Sequence, residues 1–504
     1  MQKIIINTLK TIGKVDDNIF GNFIENLGTC IYGGVYDPGS PAADEEGFRK
    51  DVMEASRKMG ITQVRFPGGC FAPQYRFKEG IGPRELRPKS NQTPEGFSPN
   101  GFGTDEFISW CRKIHAEPYI CINMGSGNAE EARDWVDYCN GVGGTEWSDR
   151  RIANGHPEPY KVKYWAIGNE ISASYEYGYT ETPELYIEKA RPFIQMMKAC
   201  DPTIRITLAG CIFPLGAGRM TPYAYDWNYK VLKEFFEEAD YISMHHYIGT
   251  VGKSRFLREL RKEMSEVEFH LGMHEYMQEV ADSYEIIKSD ILHVCSDKKK
   301  IRKIGIALDE YNPWYNTLPE PKLMHMYNIS DALLVGRYFN LFIQKADVAT
   351  ISNMAQLVNV LPAVVTKSGE SGFFRQGISY IPEMYLGNQG NIAVDVFLES
   401  ESYPGKYYRD AKYVDSSASL SPDGDFVTLN LINIHPEKSF DYEVIVPGKE
   451  IASIEGSCLS EMDLAAYNTF EDPDRLKIQR IQAFEGNQIQ IPAMACMVLK
   501  LRLK

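Results

Sequence analysis

The chain has 504 residues, of which 43% are hydrophobic and 24% charged, and its formal net charge is −14. This length predicts more than one hydrophobic core, and the composition is that of a globular protein. The acidic balance argues against nucleic acid or an anionic membrane as a partner, because no excess of basic side chains exists to neutralise phosphates.

The first residues hold three consecutive apolar side chains, Ile4 to Ile6, and no run in the chain approaches the length of a membrane span. The ten cysteines include no Cys-x-x-Cys pair, so we expect reduced thiols rather than a disulfide framework or a zinc site. Both observations predict a cytoplasmic protein with no membrane partner.

Short apolar runs recur through the first two thirds of the chain, with stretches of helical character between them. Residues 45–59, 104–114 and 183–199 are predicted helices, the last with Pro183 in its first turn. Alternation of strand and helix predicts a (β/α)8 barrel. The eight predicted strands are residues 19–23, 64–66, 119–124, 162–167, 206–209, 241–244, 304–308 and 348–351. Residues 249–303 are predicted to form an insertion over one face of the barrel.

The pattern changes near residue 377, after which short β-rich runs alternate with turn signals. Residues 392–397, 426–431, 442–446 and 497–501 are predicted strands, and no amphipathic helix is expected among them. The resulting prediction is a barrel over residues 16–376 followed by a jelly-roll-like β-sandwich over residues 377–504.

Two of the predicted barrel strands end in glutamate. The run at 162–167 leads to Asn169 and Glu170, and the run at 304–308 leads to Asp309 and Glu310. Catalytic residues of such barrels lie at the carboxyl ends of the strands. Because a pair of carboxyl groups is what glycoside hydrolysis requires, the pair predicts a glycosidase.

The ends of the other predicted strands carry amides, carboxylates, aromatic residues and glycines, and these side chains suit a ligand rich in hydroxyl groups. No glycine-rich phosphate-binding loop is found in the sequence after these strands. The paired glycines Gly68 and Gly69 would allow the backbone to approach a ligand closely. The remaining candidate residues at these ends are Glu25, Arg65, Cys70, His245, His246, Tyr247, Trp314 and Gln356.

Several stretches together resemble glycoside hydrolase family 51, which consists chiefly of α-L-arabinofuranosidases. The similarity runs through the barrel into the sandwich. It includes Val64-Arg65-Phe66-Pro67-Gly68-Gly69, Gly168-Asn169-Glu170 and Asp309-Glu310-Tyr311-Asn312-Pro313-Trp314-Tyr315. The other similar stretches are residues 20–28, 31–41, 80–83, 101–107, 355–360 and 468–471.

The resemblance implies a retaining exo-hydrolase that releases terminal α-L-arabinofuranosyl residues, with Glu170 as general acid/base and Glu310 as nucleophile. It assigns sugar contacts to Glu25, Asn169 and Gln356, a hydrogen bond on the nucleophile to Tyr247, and a pocket wall to Trp314. Cys70 is expected to line the pocket, and Arg65 and His245 to support it from behind. The family implies no cofactor and no metal, often a hexamer, and a first strand, residues 1–15, that completes the sandwich.

The chain departs from the common family pattern near the site, at Asn26, Cys70, residues 173–176 and Tyr311. The catalytic pair is untouched, so arabinose-containing oligosaccharides are the expected substrates. Another furanoside, a xyloside or a glucan stays open at this point, as does an inactive carbohydrate-binding barrel.

Four further expectations concern single residues. The proximity of two carboxyl groups predicts a raised pKa for Glu170. Alternation along the strand predicts that Asp309 turns away from Glu310 and pairs with a base elsewhere in the barrel. Glu79 and Glu176 are expected at the rim or surface. The pair His270 and His274, spaced for a metal on a helix, is expected to be structural.

Overall fold

The computed structural model describes residues 1–93, 96–211, 213, 224–250, 254–318, 323–484 and 486–504. Residues 251–253 of the predicted insertion therefore lie outside the described residues. None of the helices in these ranges is both long and apolar enough to cross a membrane.

Eight parallel strands close into a barrel, as the sequence predicts, and each contains or overlaps its predicted run. They are buried on both faces, which explains why they are visible in the sequence as short apolar runs. Barrel strands 1 to 8 are Gly21–Phe23, Gln63–Phe66, Glu117–Cys121, Tyr164–Ile167, Arg205–Leu208, Ala239–Ile248, Gly305–Pro313 and Ala349–Ala355.

Helices follow the barrel strands and pack around them. The helix predicted at 104–114 has those bounds, and the one predicted at 183–199 extends one residue further, whereas the one predicted at 45–59 begins five residues later. Up to barrel strand 5 the helices are α1 Lys50–Lys58, α2 Thr104–Ile114, α3 Ala129–Asn140, α4 Glu146–Ala153 and α5 Pro183–Cys200. Helix α6, Ala224–Glu234, precedes barrel strand 6.

The segment between barrel strands 6 and 7 carries three helices in its described part, in agreement with the predicted insertion. They are α7 Arg255–Leu260, α8 Glu266–Glu275 and α9 Met277–Lys298. Helix α8 holds His270, whose Nδ1 contacts the Ser330 hydroxyl at 2.6 Å and whose Nε2 contacts the carbonyl of Ile434 at 2.8 Å. The ring therefore ties the insertion to the C-terminal region.

Helix α10, Ile329–Gln344, joins barrel strands 7 and 8 and packs against the C-terminal sheet. Its Asn340 contacts Ser417 and Asp415 of that sheet. A short helix α11, Tyr380–Tyr385, lies where no helix was predicted. With six residues it is too short to show an amphipathic period. The smaller paired strands are Ser90–Thr93 with Gly96–Ser98, Val364–Thr366 with Phe373–Arg375, and Ser402–Tyr403 with Ala411–Lys412.

The C-terminal region is a nine-stranded sheet that curls around its own core, which confirms the predicted all-β architecture. The first strand of the chain completes it, pairing antiparallel with Ile392–Leu398 and parallel with Phe440–Ile445. The boundaries at residues 16 and 377 stay predictions. The strand order is Gln479–Phe484, Ile451–Ser460, Ala495–Leu503, Phe426–Asn433, Val414–Leu420, Ile392–Leu398, Gln2–Lys14, Phe440–Ile445 and Gln488–Ile491.

Candidate active site

The two strand-end glutamates lie together at the mouth of the barrel. Glu170 follows barrel strand 4 and Glu310 lies within barrel strand 7, and each has a carboxylate oxygen within 4.8 Å of the other. Both side chains are buried. Glu170 has φ of +44°, a backbone conformation that few residues other than glycine adopt. Strain of this kind concentrates at functional sites, where the surrounding structure holds it in place.

Arg65, on barrel strand 2, joins the nucleophile candidate to its amide neighbour. Its Nη1 donates to Glu310 Oε1 at 2.5 Å, and its Nη2 donates to Asn169 Oδ1 at 2.6 Å. The planar guanidinium thereby fixes both acceptors at once, which a lysine could not do.

His245, on barrel strand 6, lies between three carboxyl groups. Its Nδ1 is 2.7 Å from Glu170 Oε1 and 3.6 Å from Glu310 Oε2, and its Nε2 is 3.2 Å from Asp309 Oδ1. Burial alone would lower the pKa of His245, but the charge of Glu310 and the hydrogen bonds with Asp309 and Glu170 raise it to about 10. The ring is therefore a cation at neutral pH, with a hydrogen bond to Glu170 through Nδ1 and an ion pair with Asp309 through Nε2.

The prediction that the pKa of Glu170 is raised was wrong. Burial does act in that direction, but the hydrogen bond and charge of His245 and then the hydroxyl of Tyr175 outweigh it, and the pKa is lowered. Repulsion between the two catalytic carboxylates, the basis of the prediction, is offset because the imidazolium lies between them.

Glu25 is held near Glu310 by the loop that follows barrel strand 2. The amides of Gly69 and Phe71 each donate to its Oε1 at 2.9 Å, and Gln356 donates to its Oε2 at 2.8 Å. Burial and the nearby charge of Glu310 raise the pKa of Glu25 to about 7. The carboxyl group thus titrates near neutrality within the pocket.

The remaining predicted pocket residues surround this centre. Tyr247 donates to Glu310 Oε2 at 2.7 Å, and the ring of Trp314 packs edge-on against Tyr247 with centroids 5.3 Å apart. Cys70 Sγ lies within 4.8 Å of carboxylate oxygens of both Glu170 and Glu176. Cys70 as a residue is exposed at the pocket mouth, but desolvation of its thiol and the charges of Glu25 and Glu170 raise the pKa of that thiol, which therefore stays neutral.

Asp309 differs in one respect from its prediction. It pairs with bases, as expected, but these are His245 and, at 3.6 Å, Arg65, the same two cations that contact Glu310. Barrel strand 7 pairs Leu308 with Met244 and Glu310 with His245, which leaves Asp309 as an extra residue. This bulge breaks the alternation, so Asp309 and Glu310 both reach the cations of the site.

His246, expected at the pocket, points outward from the barrel instead. Its ring nitrogens lie 3.4 Å from the Tyr338 hydroxyl on α10 and 3.9 Å from Glu279 on α9. Burial lowers the pKa of His246 to about 3, so the ring is neutral. Side chains of successive strand residues point to opposite faces, and only His245 faces the site.

Two residues after barrel strand 4 belong to the site although the sequence did not assign them to it. Tyr175 donates to Glu170 Oε2 at 2.5 Å. Glu176, predicted at the rim, is only 6% exposed and accepts from Asn169 Nδ2 at 3.3 Å. The one signal in the sequence was that both positions depart from the common family pattern.

Among the described residues, two sets of side chains are close enough to share a metal ion: Cys70 with Glu170 and Glu176, and Glu170 with His245 and Glu310. In the second set the raised pKa of His245 means that the ring would have to lose a proton before it could bind a metal. In the first set the Cys70 thiol, whose pKa is raised, would likewise have to lose its proton on binding a metal.

The separation of the carboxyl groups decides which chemistry they can perform. Retaining glycosidases place them about 5–5.5 Å apart and inverting enzymes about 6.5–9.5 Å apart, since the latter must admit a water molecule. The nearest oxygens of Glu170 and Glu310 lie within 4.8 Å of each other, which fits the closer, retaining spacing. A barrel with this pair at its mouth, and with amides and aromatic side chains around it, is that of a retaining glycosidase.

Comparison with known proteins gives the family. Residues 55–248 match the family model described as alpha-L-arabinofuranosidase 1 domain, and residues 309–495 match the alpha-L-arabinofuranosidase C-terminal domain. The chain belongs to the α-L-arabinofuranosidases of glycoside hydrolase family 51, as the sequence motifs imply.

Relatives and solved structures resemble the chain over nearly its whole length. Alpha-L-arabinofuranosidase C of Emericella nidulans is 34% identical and covers 89% of this chain and 88% of its own. Intracellular exo-alpha-(1->5)-L-arabinofuranosidase 1 of Bacillus subtilis is 32% identical, with 92% and 91% covered. The crystal structure of the Thermotoga maritima α-L-arabinofuranosidase in complex with arabinose is 32% identical, with a TM-score of 0.86 and complete coverage of both chains.

Proposed function

We propose that the protein releases terminal, non-reducing α-L-arabinofuranosyl residues from arabinose-containing oligosaccharides by double displacement. The observation that supports this most strongly is the pair Glu170 and Glu310, within 4.8 Å of each other at the barrel mouth. Glu310 attacks the anomeric carbon and forms a glycosyl ester, while Glu170 protonates the departing oxygen. Water, activated by Glu170, then hydrolyses the ester with net retention.

The surrounding residues have distinct parts in this proposal. Arg65 and Tyr247 hold one oxygen each of Glu310 and orient the nucleophile. Asn169, oriented by Arg65, binds the hydroxyl next to the anomeric carbon, a contact that strengthens as positive charge develops on the sugar. Glu25 with Gln356 binds further hydroxyls, and Trp314 and Cys70 close the pocket.

The cellular setting is part of the proposal. Two similar enzymes, from Bacillus subtilis and Halalkalibacterium halodurans, are named intracellular exo-alpha-(1->5)-L-arabinofuranosidases. A cytoplasmic location for this protein would limit its substrates to imported oligosaccharides, since polymers do not cross a membrane. We further propose a homo-oligomer, with the hexamer of the family as the first assembly to test by light scattering.

A panel of nitrophenyl glycosides tests the substrate assignment. It contains the α-L-arabinofuranoside, β-D-galactofuranoside, β-D-xylopyranoside and β-D-glucopyranoside, with Glu310→Ala as the blank. We expect turnover of the arabinofuranoside to exceed that of the others by at least about 100-fold, because substrate discrimination of this size follows from lost polar contacts in a buried site. Preferential turnover of another sugar would overturn the assignment.

A further inference from the structure

Tyr175 places a hydrogen-bond donor on the oxygen of Glu170 that the leaving group must reach. Glu170 Oε1 is engaged by His245, and Tyr175 donates to Oε2 at 2.5 Å. The residue is 51% exposed, so its ring lies at the mouth of the site and its hydroxyl reaches inside. A substrate oxygen can approach Oε2 only if this hydroxyl moves aside, and the exposed ring has room to do so.

Glu176 brings a third carboxyl group next to the catalytic pair. Its Oε1 accepts from the amide of Tyr177 at 3.0 Å, and its Oε2 accepts from Asn169. The titratable groups that face it are Glu170, Cys70 and Glu25. Its nearest oxygen lies within 4.8 Å of Glu170. No described contact places a cation between Glu176 and Glu170, and two buried carboxyl groups this close then resist ionising together, so the pair holds one proton.

The donors around each carboxyl group decide which one holds that proton. Glu170 faces the His245 cation and the Tyr175 hydroxyl, both of which favour a carboxylate. Among the described contacts, Glu176 faces amide and thiol donors and no cation. Accordingly, burial and the charge of Glu170 raise the pKa of Glu176 to about 8, whereas the pKa of Glu170 is lowered.

We propose that Tyr175 and Glu176 together prepare Glu170 for acid catalysis. In the empty site the Tyr175 hydroxyl occupies the place of the glycosidic oxygen, and Glu176 stores the proton that Glu170 later gives to the leaving group. Both are positioning residues, since they act through Glu170. This inference rests on the proposed role of Glu170 and adds to it the source of the catalytic proton.

The proton moves in a closed cycle. When the substrate displaces the Tyr175 hydroxyl from Oε2, Glu170 loses a donor that favoured its anion, and the proton passes from Glu176 to Glu170. One water can bridge the two carboxyl groups, because two hydrogen bonds of about 2.8 Å span the gap. Glu170 protonates the glycosidic oxygen as its bond to the anomeric carbon breaks. In the second step Glu170 takes a proton from the attacking water, and this proton returns to Glu176 when Tyr175 rebinds.

The test compares the pH dependence of kcat/KM on two substrates. Methyl α-L-arabinofuranoside has a poor leaving group that needs protonation, whereas the 4-nitrophenyl arabinofuranoside needs little. In Glu176→Gln the amide retains the size of the side chain but cannot store a proton. We expect kcat/KM at pH 7.5 to fall at least about 10-fold on the methyl glycoside and about 2-fold on the aryl glycoside. The alkaline limb of the pH profile of kcat/KM, measured on the methyl glycoside, should shift to lower pH by at least about one unit.

Tyr175→Phe removes only the hydroxyl and tests whether this donor controls the transfer of the proton between Glu176 and Glu170. Without that donor Glu170 retains a proton more readily, so the double variant with Glu176→Gln should recover most of the activity that Glu176→Gln loses. Glu181→Gln, which changes an exposed carboxylate of the same loop, serves as the matched control. Thermal unfolding of each variant shows whether a change in rate reflects loss of folded protein.

The outcomes separate two claims: that Tyr175 and Glu176 prepare Glu170, and that Glu170 is the general acid/base. An alkaline limb that does not move in Glu176→Gln, or a double variant that is more impaired than Glu176→Gln, overturns the inference. Failure of the proposed function would show in a different variant. In that case Glu170→Ala would lose as much activity on the aryl as on the methyl glycoside. If Glu170→Ala spares the aryl glycoside while Glu176→Gln matches the wild type, only the inference fails.

Discussion

His245 determines how charge is distributed among the carboxyl groups of the site. It contacts Glu170, Asp309 and Glu310 at once, and a cation in this position offsets the repulsion between them. In the resting site Glu170 is therefore a carboxylate, paired with an imidazolium that also faces Glu310. A proton for the leaving group must then come from a further group, and Glu176 is placed to hold it.

The raised pKa of His245 predicts a specific pH dependence of stability. A group whose folded pKa exceeds its unfolded value of about 6.5 stabilises the fold fully below that value, and this contribution is lost as the pH rises through the folded pKa. The folded pKa of His245 is about 10. We expect the stability difference between wild type and His245→Gln to be largest near pH 6 and to shrink towards pH 10. Urea midpoints across this range measure it, and a difference independent of pH would contradict the assigned charge.

Arg65 offers a second prediction at the same scale. Arg65→Lys keeps the charge but cannot hold Glu310 and Asn169 with one planar group. We expect kcat to fall by about 100-fold, comparable to other losses of groups that orient catalytic residues. The folded state should persist, because a cation still faces the buried carboxylates, whereas Arg65→Met should unfold at lower denaturant. If Arg65→Lys were about as active as the wild type, the simultaneous contact of one planar guanidinium with Glu310 and Asn169 would not be needed for catalysis.

At the scale of elements, the loop after barrel strand 2 sets the width of the pocket. A Cβ atom at Gly69 would lie 2.8 Å from Glu310 Oε1, and one at Gly68, whose φ is +151°, would lie 2.4 Å from the Glu25 side chain. The glycines thus permit the backbone to pass directly beside both carboxylates.

Gly69→Ala should therefore displace the nucleophile without unfolding the barrel. Glu310 is fixed by Arg65 and Tyr247, so it can yield to the added methyl group only by losing one of these contacts. We expect kcat to decrease by at least about 10-fold, since displacements of about 1 Å in catalytic groups have effects of this order or larger. Steady-state kinetics and thermal unfolding, with Gly39→Ala at an open, exposed position as the control, separate the two effects.

The sequence predicts those elements whose signal is local. Barrel strands appear as apolar runs because both faces are buried, and the two glutamates stand out because each run stops at them. The bulge at Asp309 carries no such signal, since one extra residue in a strand changes neither composition nor period. Residues 175 and 176 turn into the site because Tyr175 bonds to Glu170 and Glu176 bonds to Asn169. Such contacts follow no spacing rule in the sequence.

At the scale of the whole molecule, the first strand links the two ends of the chain. Gln2–Lys14 lies between Ile392–Leu398 and Phe440–Ile445, and Ile4 and Ile6 are fully buried in the core of the C-terminal sheet. The chain then enters the barrel directly at its first strand. The C-terminal sheet therefore cannot be completed without the N-terminal segment.

Ile4→Ala tests this arrangement away from the site. The substitution leaves a cavity between strands, and we expect it to lower the free energy of unfolding of the sheet by about 2–4 kcal/mol. Activity measured below the transition should match that of wild type, since Ile4 belongs to the core of the C-terminal sheet and not to the barrel mouth. Leu9→Ala, an exposed position of the same strand, is the control. Equal stability of both variants would contradict the assigned role of the strand.

The most direct test of the central claim is the configuration of the first product. Proton NMR during hydrolysis of 4-nitrophenyl α-L-arabinofuranoside shows which anomer forms before mutarotation. The nearest oxygens of Glu170 and Glu310 lie within 4.8 Å of each other, which is the close spacing that lets Glu310 attack the anomeric carbon itself, so we expect α-L-arabinofuranose to form first. Initial appearance of the β-anomer would contradict the double displacement and the roles assigned to Glu170 and Glu310.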